Sequence, residues 1–193
     1  VVIIDNKTHK VITYVGSANF YDTTDGGQVN GADAVRQPGS TLKPLLYAMC
    51  FDEGLLTPKT IMTDVMVNYN GYAPENYDKK FNGYVTVESA LEHSLNIPAV
   101  KGLQMLGHEQ MIQKMSNINF RQIQKDRRKL GLSLILGGCG TTLDELTGLF
   151  SSFANDGNYF APSFIQSYTI VITSKGISAA SNCVVYEILA KIN

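Results

Sequence analysis

The sequence contains no tryptophan, few cysteines and few charged residues for its length of 193. Charged residues make up 17% of the chain and hydrophobic residues 44%, whereas soluble domains usually carry about 25% charged residues. This composition excludes a disordered chain, because a chain so rich in apolar residues can bury a core. The chain also lacks any apolar run near the roughly 18 residues that a membrane-spanning helix needs. The sequence therefore predicts one folded domain, or two small subdomains that share a core.

The chain has no excess of positive charge. It carries 16 Lys plus Arg and 17 Asp plus Glu, so its net charge is −1. Nucleic-acid-binding proteins present a basic surface, so nucleic acid is not predicted as a partner. The three histidines, His9, His93 and His108, have no metal-ligating spacing. No metal site and no cofactor are therefore predicted.

The three cysteines, Cys50, Cys139 and Cys183, are odd in number and widely spaced. That spacing indicates neither a disulfide framework nor a zinc knuckle. Cys50 continues an apolar helical pattern, so it is predicted to be an inert core thiol. Cys139 follows two glycines and is predicted to lie in a tight turn where it could be exposed.

The order of predicted elements favours an α+β fold over alternating strands and helices. Residues 1–35 read as sheet strands and a loop, with a hairpin formed by Val1–Ile4 and Val11–Val15. Residues 36–160 read as a mostly helical region. Residues 161–193 read as a strand and a helix. The expected boundaries in this last part are a strand over 164–173, a turn over 174–176 and a helix over 178–192.

Four helix starts and one helix end can be placed in the middle region. Apolar residues recur at helical spacing from Leu42 to Cys50, and Pro44 is tolerated only in a first turn, so a helix is predicted to begin near Ser40. Thr86 is predicted to cap a short helix, and Pro98 to start another that stops at Gly107. Further along, Thr142 and Glu145 form a capping-box pattern.

The pair Ser40 and Lys43 carries the first chemical signal. The two residues are one helical turn apart, so their side chains share a face at the start of a helix, where developing negative charge is favoured. A serine hydroxyl becomes a nucleophile when a neighbouring base takes its proton. A lysine can be that base if burial lowers its pKa. The alternative for such a spacing is a capping serine beside a solvated lysine.

Ser94 and Asn96 carry the second signal. They lie on a predicted non-helical link between two helices. Residues two apart in an extended link point the same way, so both side chains can face one cleft. There the hydroxyl could relay a proton, and the amide could hold a substrate carbonyl or the lysine. The alternative is that both are ordinary polar residues of a helix linker.

Together these motifs resemble those of the class A penicillin-binding proteins. Their residue sequences are most similar to those of the 1C branch of that family. The segment from Arg36 to Pro44 resembles the family's active-site segment, and Ser94 to Val100 its second motif with the usual tail. The stretches that lead into and follow these motifs are also similar: residues 74–78, 83–91, 134–138, 142–146 and 153–157. The resemblance covers essentially the whole chain in family order.

The resemblance implies a β-lactamase/transpeptidase-like fold, with an antiparallel sheet flanked by helices beside a mostly helical subdomain. It implies D,D-transpeptidation of peptidoglycan stem peptides through an acyl-serine, and binding of β-lactams. Carried over by residue, Ser40 is the nucleophile, Lys43 the general base, Ser94 the proton relay and Asn96 the substrate-orienting amide. Asn76, in the segment that leads into the second motif, is predicted to lie near the cleft and to contact substrate.

The family's third motif, Lys-Thr-Gly or Lys-Ser-Gly on a strand, does not occur in residues 1–193. The expectation is a partial transpeptidase domain that lacks the C-terminal sheet strands and has little or no activity alone. An upstream glycosyltransferase domain, a membrane anchor and a place on the outer face of the bacterial cytoplasmic membrane are implied for the longer protein. A β-lactam hydrolase and a non-catalytic module that binds cell-wall peptides or a partner are the alternatives.

Overall fold

The computed structural model describes residues 1–164 and 174–192, which form an α+β fold. The strands in this part are β1 (Val2–Ile4), β2 (Val11–Tyr14), β3 (Ile61–Asp64), β4 (Gly83–Thr86), β5 (Asn158–Tyr159) and β6 (Ser174–Lys175). The helices are α1 (Lys43–Asp52), α2 (Val87–Glu92), α3 (Asn96–Leu106), α4 (His108–Asn117), α5 (Arg121–Asp126), α6 (Leu143–Phe153) and α7 (Ala179–Leu189). Short 3₁₀ helices cover Gly39–Leu42, Arg127–Lys129 and Leu132–Leu136.

The described strands form three antiparallel pairs, β1 with β2, β3 with β4 and β5 with β6. The predicted N-terminal hairpin is confirmed, with Val2 opposite Tyr14. The pair β3 and β4 runs in register from Ile61 opposite Thr86 to Asp64 opposite Gly83. This register brings Asp64, at the end of β3, beside Gly83 and the end of the segment that joins β3 to β4.

The prediction of a turn at residues 174–176 is wrong for its first two residues. Ser174 and Lys175 form β6, opposite Tyr159 and Asn158 of β5. The Ser-Lys-Gly string is typical of a turn, but its backbone finds partners in a distant strand, and that pairing decides its conformation. The strand predicted over 164–173 lies outside the described residues beyond Phe164.

The predicted helix starts agree closely with the structure. Thr86 Oγ1 accepts a hydrogen bond from the Ser89 N–H at the start of α2, and the capping box of Thr142 and Glu145 begins α6. The α3 helix ends at Gly107, whose φ of 89° allows the chain to turn away. These ends could be predicted because a cap depends on residues close together in the sequence.

The core is centred on α1, which is buried on every side. Every residue from Lys43 to Cys50 is buried, because α2, α3 and α7 all pack against this helix. The apolar stripe from Leu42 to Cys50 is confirmed as core, but the opposite face of the helix is buried too. A lysine at the start of such a helix is therefore carried into the interior.

Both Cys50 and Cys139 are buried, and burial raises the pKa of each thiol to about 12. The expectation that Cys139 could be exposed is wrong, because the chain folds its turn inward and the thiol contacts the Leu134 carbonyl. Cys183 is exposed on α7. The two buried thiols are un-ionised at neutral pH and therefore chemically inert.

No helix within residues 1–164 and 174–192 is both long and apolar enough to cross a lipid bilayer. In the same part of the chain, no group of three or more histidine, cysteine, aspartate or glutamate side chains is arranged to hold a metal ion.

Candidate active site

Ser40 lies in the 3₁₀ helix Gly39–Leu42, which leads directly into α1. The Lys43 backbone N–H donates to the Ser40 carbonyl, a bond between residues three apart that aligns their side chains along the helix axis. Ser40 is exposed, whereas Lys43 is 1% exposed. The predicted helix start near Ser40 is confirmed, and its first turn is the tighter 3₁₀ form.

The turn that carries Ser40 rests on a backbone contact between two glycines. Gly137 has a φ of 92°, and a Cβ placed on it would lie 2.7 Å from the backbone nitrogen of Gly39. Gly39 itself has a φ of 60°. Only glycine permits both this backbone conformation and this close approach. Main-chain packing against Gly137 therefore fixes the position of the turn that carries Ser40.

The Lys43 amine has three acceptors around it. Its Nζ lies 2.6 Å from the Ser94 carbonyl oxygen, 2.7 Å from Asn96 Oδ1 and 3.2 Å from Ser94 Oγ. An ammonium has three N–H donors, so these acceptors satisfy the charged form. Burial nevertheless lowers the pKa of Lys43 to about 8, because the interior solvates charge poorly. A substantial fraction of neutral amine is therefore present near neutral pH.

Ser94 has a left-handed backbone, with a φ of 51°. The predicted extended link is thus wrong in its conformation, and Asn96 already belongs to α3. The predicted convergence of the two residues is still observed, because the left-handed turn directs both the carbonyl and the hydroxyl of Ser94 at Lys43. A non-glycine residue in this region is strained, and such strain persists where surrounding contacts hold it.

Every polar group of Asn96 at this site has a partner. Oδ1 accepts from Lys43, Nδ2 donates to the Glu75 carbonyl at 2.7 Å, and the backbone N–H donates to Asn76 Oδ1 at 2.8 Å. The Glu75 and Asn76 bonds fix which way the amide points, so the oxygen faces the lysine.

Asn76 lies in the wall of the site but is only 5% exposed. Its Nδ2 donates to both carboxylate oxygens of Asp64, each at 2.9 Å, and to the Lys80 carbonyl at 2.8 Å. Both amide hydrogens are therefore used inside the domain. The contact with substrate predicted for Asn76 stays a prediction: Asn76 lines the groove beside the site, and its amide group is hydrogen-bonded within the domain.

Sequence reasoning missed Asp64. This carboxylate is 0% exposed, and besides Asn76 it accepts from the backbone N–H of Asn82 at 2.9 Å and the side chain of Asn82 at 2.7 Å. Asp64 belongs to no local motif, since its partners are 12 and 18 residues away. Because no partner is close in sequence, no local signal identifies Asp64.

A groove of about 450 Å³ opens beside the site. It is lined by Asn76, Tyr77, Asp78, Asn82, Val85, Ser89, His93, Ser94 and Leu95. The groove therefore reaches the Ser94 hydroxyl, while Ser40 lies outside this lining set. Tyr77 is fully exposed at its rim.

An exposed serine one turn before a buried lysine, with a second serine and an asparagine on that lysine, is the type of arrangement in which an amine activates a hydroxyl. A family model described as "Penicillin binding protein transpeptidase domain" matches residues 1–181. The chain belongs to this family.

Three bacterial relatives illustrate the similarity. Penicillin-binding protein 1C of Escherichia coli is 34% identical over 156 residues, which cover 81% of this chain and 20% of the relative. Penicillin-binding protein 1F of Bacillus subtilis is 37% identical over 171 residues, 86% of this chain and 22% of the relative. Penicillin-binding protein 1A of Aquifex aeolicus is 33% identical over 171 residues, which also cover 86% of this chain and 22% of the relative. The chain thus spans about a fifth of the length of these relatives.

Proposed function

We propose that the chain is the acylating part of a D,D-transpeptidase that crosslinks peptidoglycan, and that residues 1–193 form part of its penicillin-binding transpeptidase domain. The observation that carries the proposal is the buried Lys43 amine, which is held by Ser94 and Asn96 and lies one turn after the exposed Ser40. Stem peptides that end in D-Ala-D-Ala are the proposed donors, and β-lactams are the proposed inhibitors.

In the proposed reaction the Ser40 oxygen attacks the carbonyl carbon of the penultimate D-Ala while its proton moves to the Lys43 amine. The C–N bond to the last D-Ala then breaks. That D-Ala leaves as an amine, with a proton returned from Lys43 through the Ser94 hydroxyl. An acceptor amine of a neighbouring strand then attacks the acyl carbon, its proton passes to the Ser40 oxygen, and the ester C–O bond breaks to free Ser40.

The contacts of Lys43 support these roles. Its longest hydrogen bond is the one to Ser94 Oγ, at 3.2 Å. A hydroxyl can donate as well as accept, so this bond can reverse when the amine loses its proton. The bonds to the Ser94 carbonyl and Asn96 Oδ1 hold the amine in place in either state. We assign Asn96 a further task in orienting the substrate amide.

The setting of the full-length protein is also part of the proposal. The relatives named above are penicillin-binding proteins about five times as long as the matched segment. We propose that the longer protein carries an upstream glycosyltransferase domain and a membrane anchor. It would then act on the outer face of the bacterial cytoplasmic membrane, where peptidoglycan is assembled.

Intact mass measured before and after incubation with a fluorescent penicillin tests the assignment of Ser40. Ring opening by a serine adds the whole penicillin, so the full-length protein is expected to gain that mass once. Ser40→Ala is expected to lose the adduct completely. Ser116→Ala, which removes a hydroxyl on α4 away from the site, is the matched control and is expected to label normally.

The same experiment separates the other candidate functions. Labelling that persists in Ser40→Ala contradicts the proposal. A wild-type protein that is never labelled favours a non-catalytic module of this family. An adduct that disappears within minutes, with rapid turnover of a chromogenic β-lactam, favours a β-lactam hydrolase.

A further inference from the structure

A chain of hydrogen bonds runs from a buried carboxylate to the candidate base. Asp64 accepts from the Asn76 amide, Asn76 Oδ1 accepts from the Asn96 N–H, and Asn96 Oδ1 accepts from Lys43 Nζ. Each link is 2.7–2.9 Å long. Asp64 and Asn76 are 0% and 5% exposed, so the bond between them is shielded from water.

The position of Asp64 in this chain determines how Asn76 can point. A carboxylate only accepts hydrogen bonds, so it orients the amide with its NH₂ group inward and its oxygen outward. The outward oxygen is the atom that receives the backbone N–H of Asn96 at the first turn of α3. That bond satisfies an N–H that otherwise has no partner within the helix, and it anchors the residue whose side chain contacts Lys43.

We infer that Asp64 is a positioning residue for acylation: acting through Asn76, it holds Asn96 so that the asparagine oxygen stays on the Lys43 amine. The inference rests on the proposed function, because it assigns a task that matters only if Lys43 is the base. Asp64 contacts neither substrate nor Lys43 in this role.

The inference predicts a change in the pH dependence of acylation as well as in its rate. An acceptor on an ammonium favours the charged form, so loosening Asn96 makes Lys43 lose its proton at lower pH. The elements packed against α1 carry four charged side chains, Glu88 and Glu92 on α2, Lys101 on α3 and Glu187 on α7. Of these, Lys101 interacts with Asp64 and is held by the Thr63 carbonyl. All four remain when Asp64 is changed.

The test measures acylation of the full-length protein by a fluorescent penicillin from pH 6 to 10. In Asp64→Asn an amide nitrogen replaces one acceptor oxygen and faces the N–H donors of Asn76 and Asn82. The maximal rate of acylation is therefore expected to fall about tenfold or more. The midpoint of the rise with pH is expected to move below that of the wild type. Asn76→Ala removes the next link and is expected to give the same two changes.

The double variant Asp64→Asn/Asn76→Ala makes the test specific. Two residues that act through one path are non-additive, so the double variant is expected to be no slower than Asn76→Ala alone. Asp52→Asn is the matched control, because it removes a carboxylate that binds Ser178 at the other end of α1. It is expected to lose stability with no change in the pH midpoint.

Three outcomes decide the question. Wild-type rate and midpoint in folded Asp64→Asn overturn the inference, and so does full additivity in the double variant. If Asp64→Asn does not fold, Asn76→Ala decides alone by its pH midpoint. Ser40→Ala keeps the two proposals apart. Labelling of Ser40→Ala would overturn the proposed function. If Ser40→Ala is not labelled and Asp64→Asn has the wild-type pH profile, only the positioning role of Asp64 is overturned.

Discussion

At the scale of single residues, the charge on Lys43 is subject to two opposing effects, burial and hydrogen bonding. Lys43 is almost completely buried, yet its amine is surrounded by acceptors supplied by Ser94 and Asn96. Burial lowers the pKa of Lys43 to about 8, while hydrogen bonds to the acceptors stabilise its charged form. Near neutral pH the amine can therefore exist in both forms.

Acylation by penicillin is expected to speed up as the pH rises through about 8, because only the neutral Lys43 amine can take the Ser40 proton. Below that pH the lysine is charged, and the rate should fall about tenfold for each pH unit. The measurement is the second-order labelling rate of the full-length protein from pH 6 to 10. A flat profile, or a midpoint near the ordinary value for lysine, contradicts the role of Lys43 as base.

Single residues of the site could be predicted from the sequence to different degrees. Ser40 and Lys43 are one turn apart along the chain, and Ser94 and Asn96 adjoin a helix start, so short-range spacing makes them candidates, while the roles predicted for them come from the family resemblance. Asp64 reaches the site only because β3 pairs with β4 and the following loop folds back over it. No local pattern records that path, so Asp64 could not be found in this way.

At the scale of elements, close packing distinguishes two helical glycines. A Cβ on Gly102 in α3 would meet side-chain carbons of Leu46 and Tyr47 at 3.6 and 3.9 Å, which is ordinary contact. A Cβ on Gly148 in α6 would lie 3.2 Å from Pro162 and 3.3 Å from Tyr159. The first helix has room for a methyl group, and the second does not.

Gly102→Ala is therefore expected to raise the free energy of unfolding by about 1 kcal/mol, because alanine has the higher helix propensity. Gly148→Ala is expected to lose this gain and to destabilise the protein, since the ring of Pro162 must shift. Urea unfolding of the two variants beside the wild type measures the difference. Equal stabilisation by both would show that α6 packs less tightly than described.

Elements with end signals could be predicted, and elements without them could not. The caps at Thr86 and Thr142 and the stop at Gly107 mark α2, α6 and α3 in the sequence. The strands β3, β5 and β6 pair across long intervening segments, whereas a short turn joins β1 to β2 in the predicted hairpin. Their conformation comes from the partner strand, which sequence order alone does not reveal.

At the scale of the whole molecule, α1 joins parts of the chain that are far apart in sequence. Its start holds the candidate site, and its last residue, Asp52, accepts from the backbone N–H of Ser178 at 2.9 Å and from its hydroxyl at 2.5 Å. Ser178 caps α7. The C-terminal helix is thus fastened to the central helix across 126 residues of sequence.

Asp52→Asn is expected to lower the free energy of unfolding by about 1 kcal/mol at neutral pH, because the hydrogen bonds to a charged acceptor are weakened. Burial alone would raise the pKa of Asp52, but hydrogen bonds from Ser178 and Ser181 and the nearby Lys114 lower it overall. The carboxylate therefore contributes stability above pH 4 that is lost as the pH falls through its lowered pKa. Urea unfolding at pH 7 and pH 3 should show the gap closing, and a constant gap contradicts this account.

The Gly137 backbone lies directly against the Gly39 backbone, one residue before Ser40. The close packing of the two backbones leaves no room for a hinge at this junction. The Tyr77 side chain, which lines the neighbouring groove, is by contrast fully exposed. The backbone under the proposed nucleophile is thus constrained by main-chain packing, whereas the groove wall at Tyr77 is not held by burial.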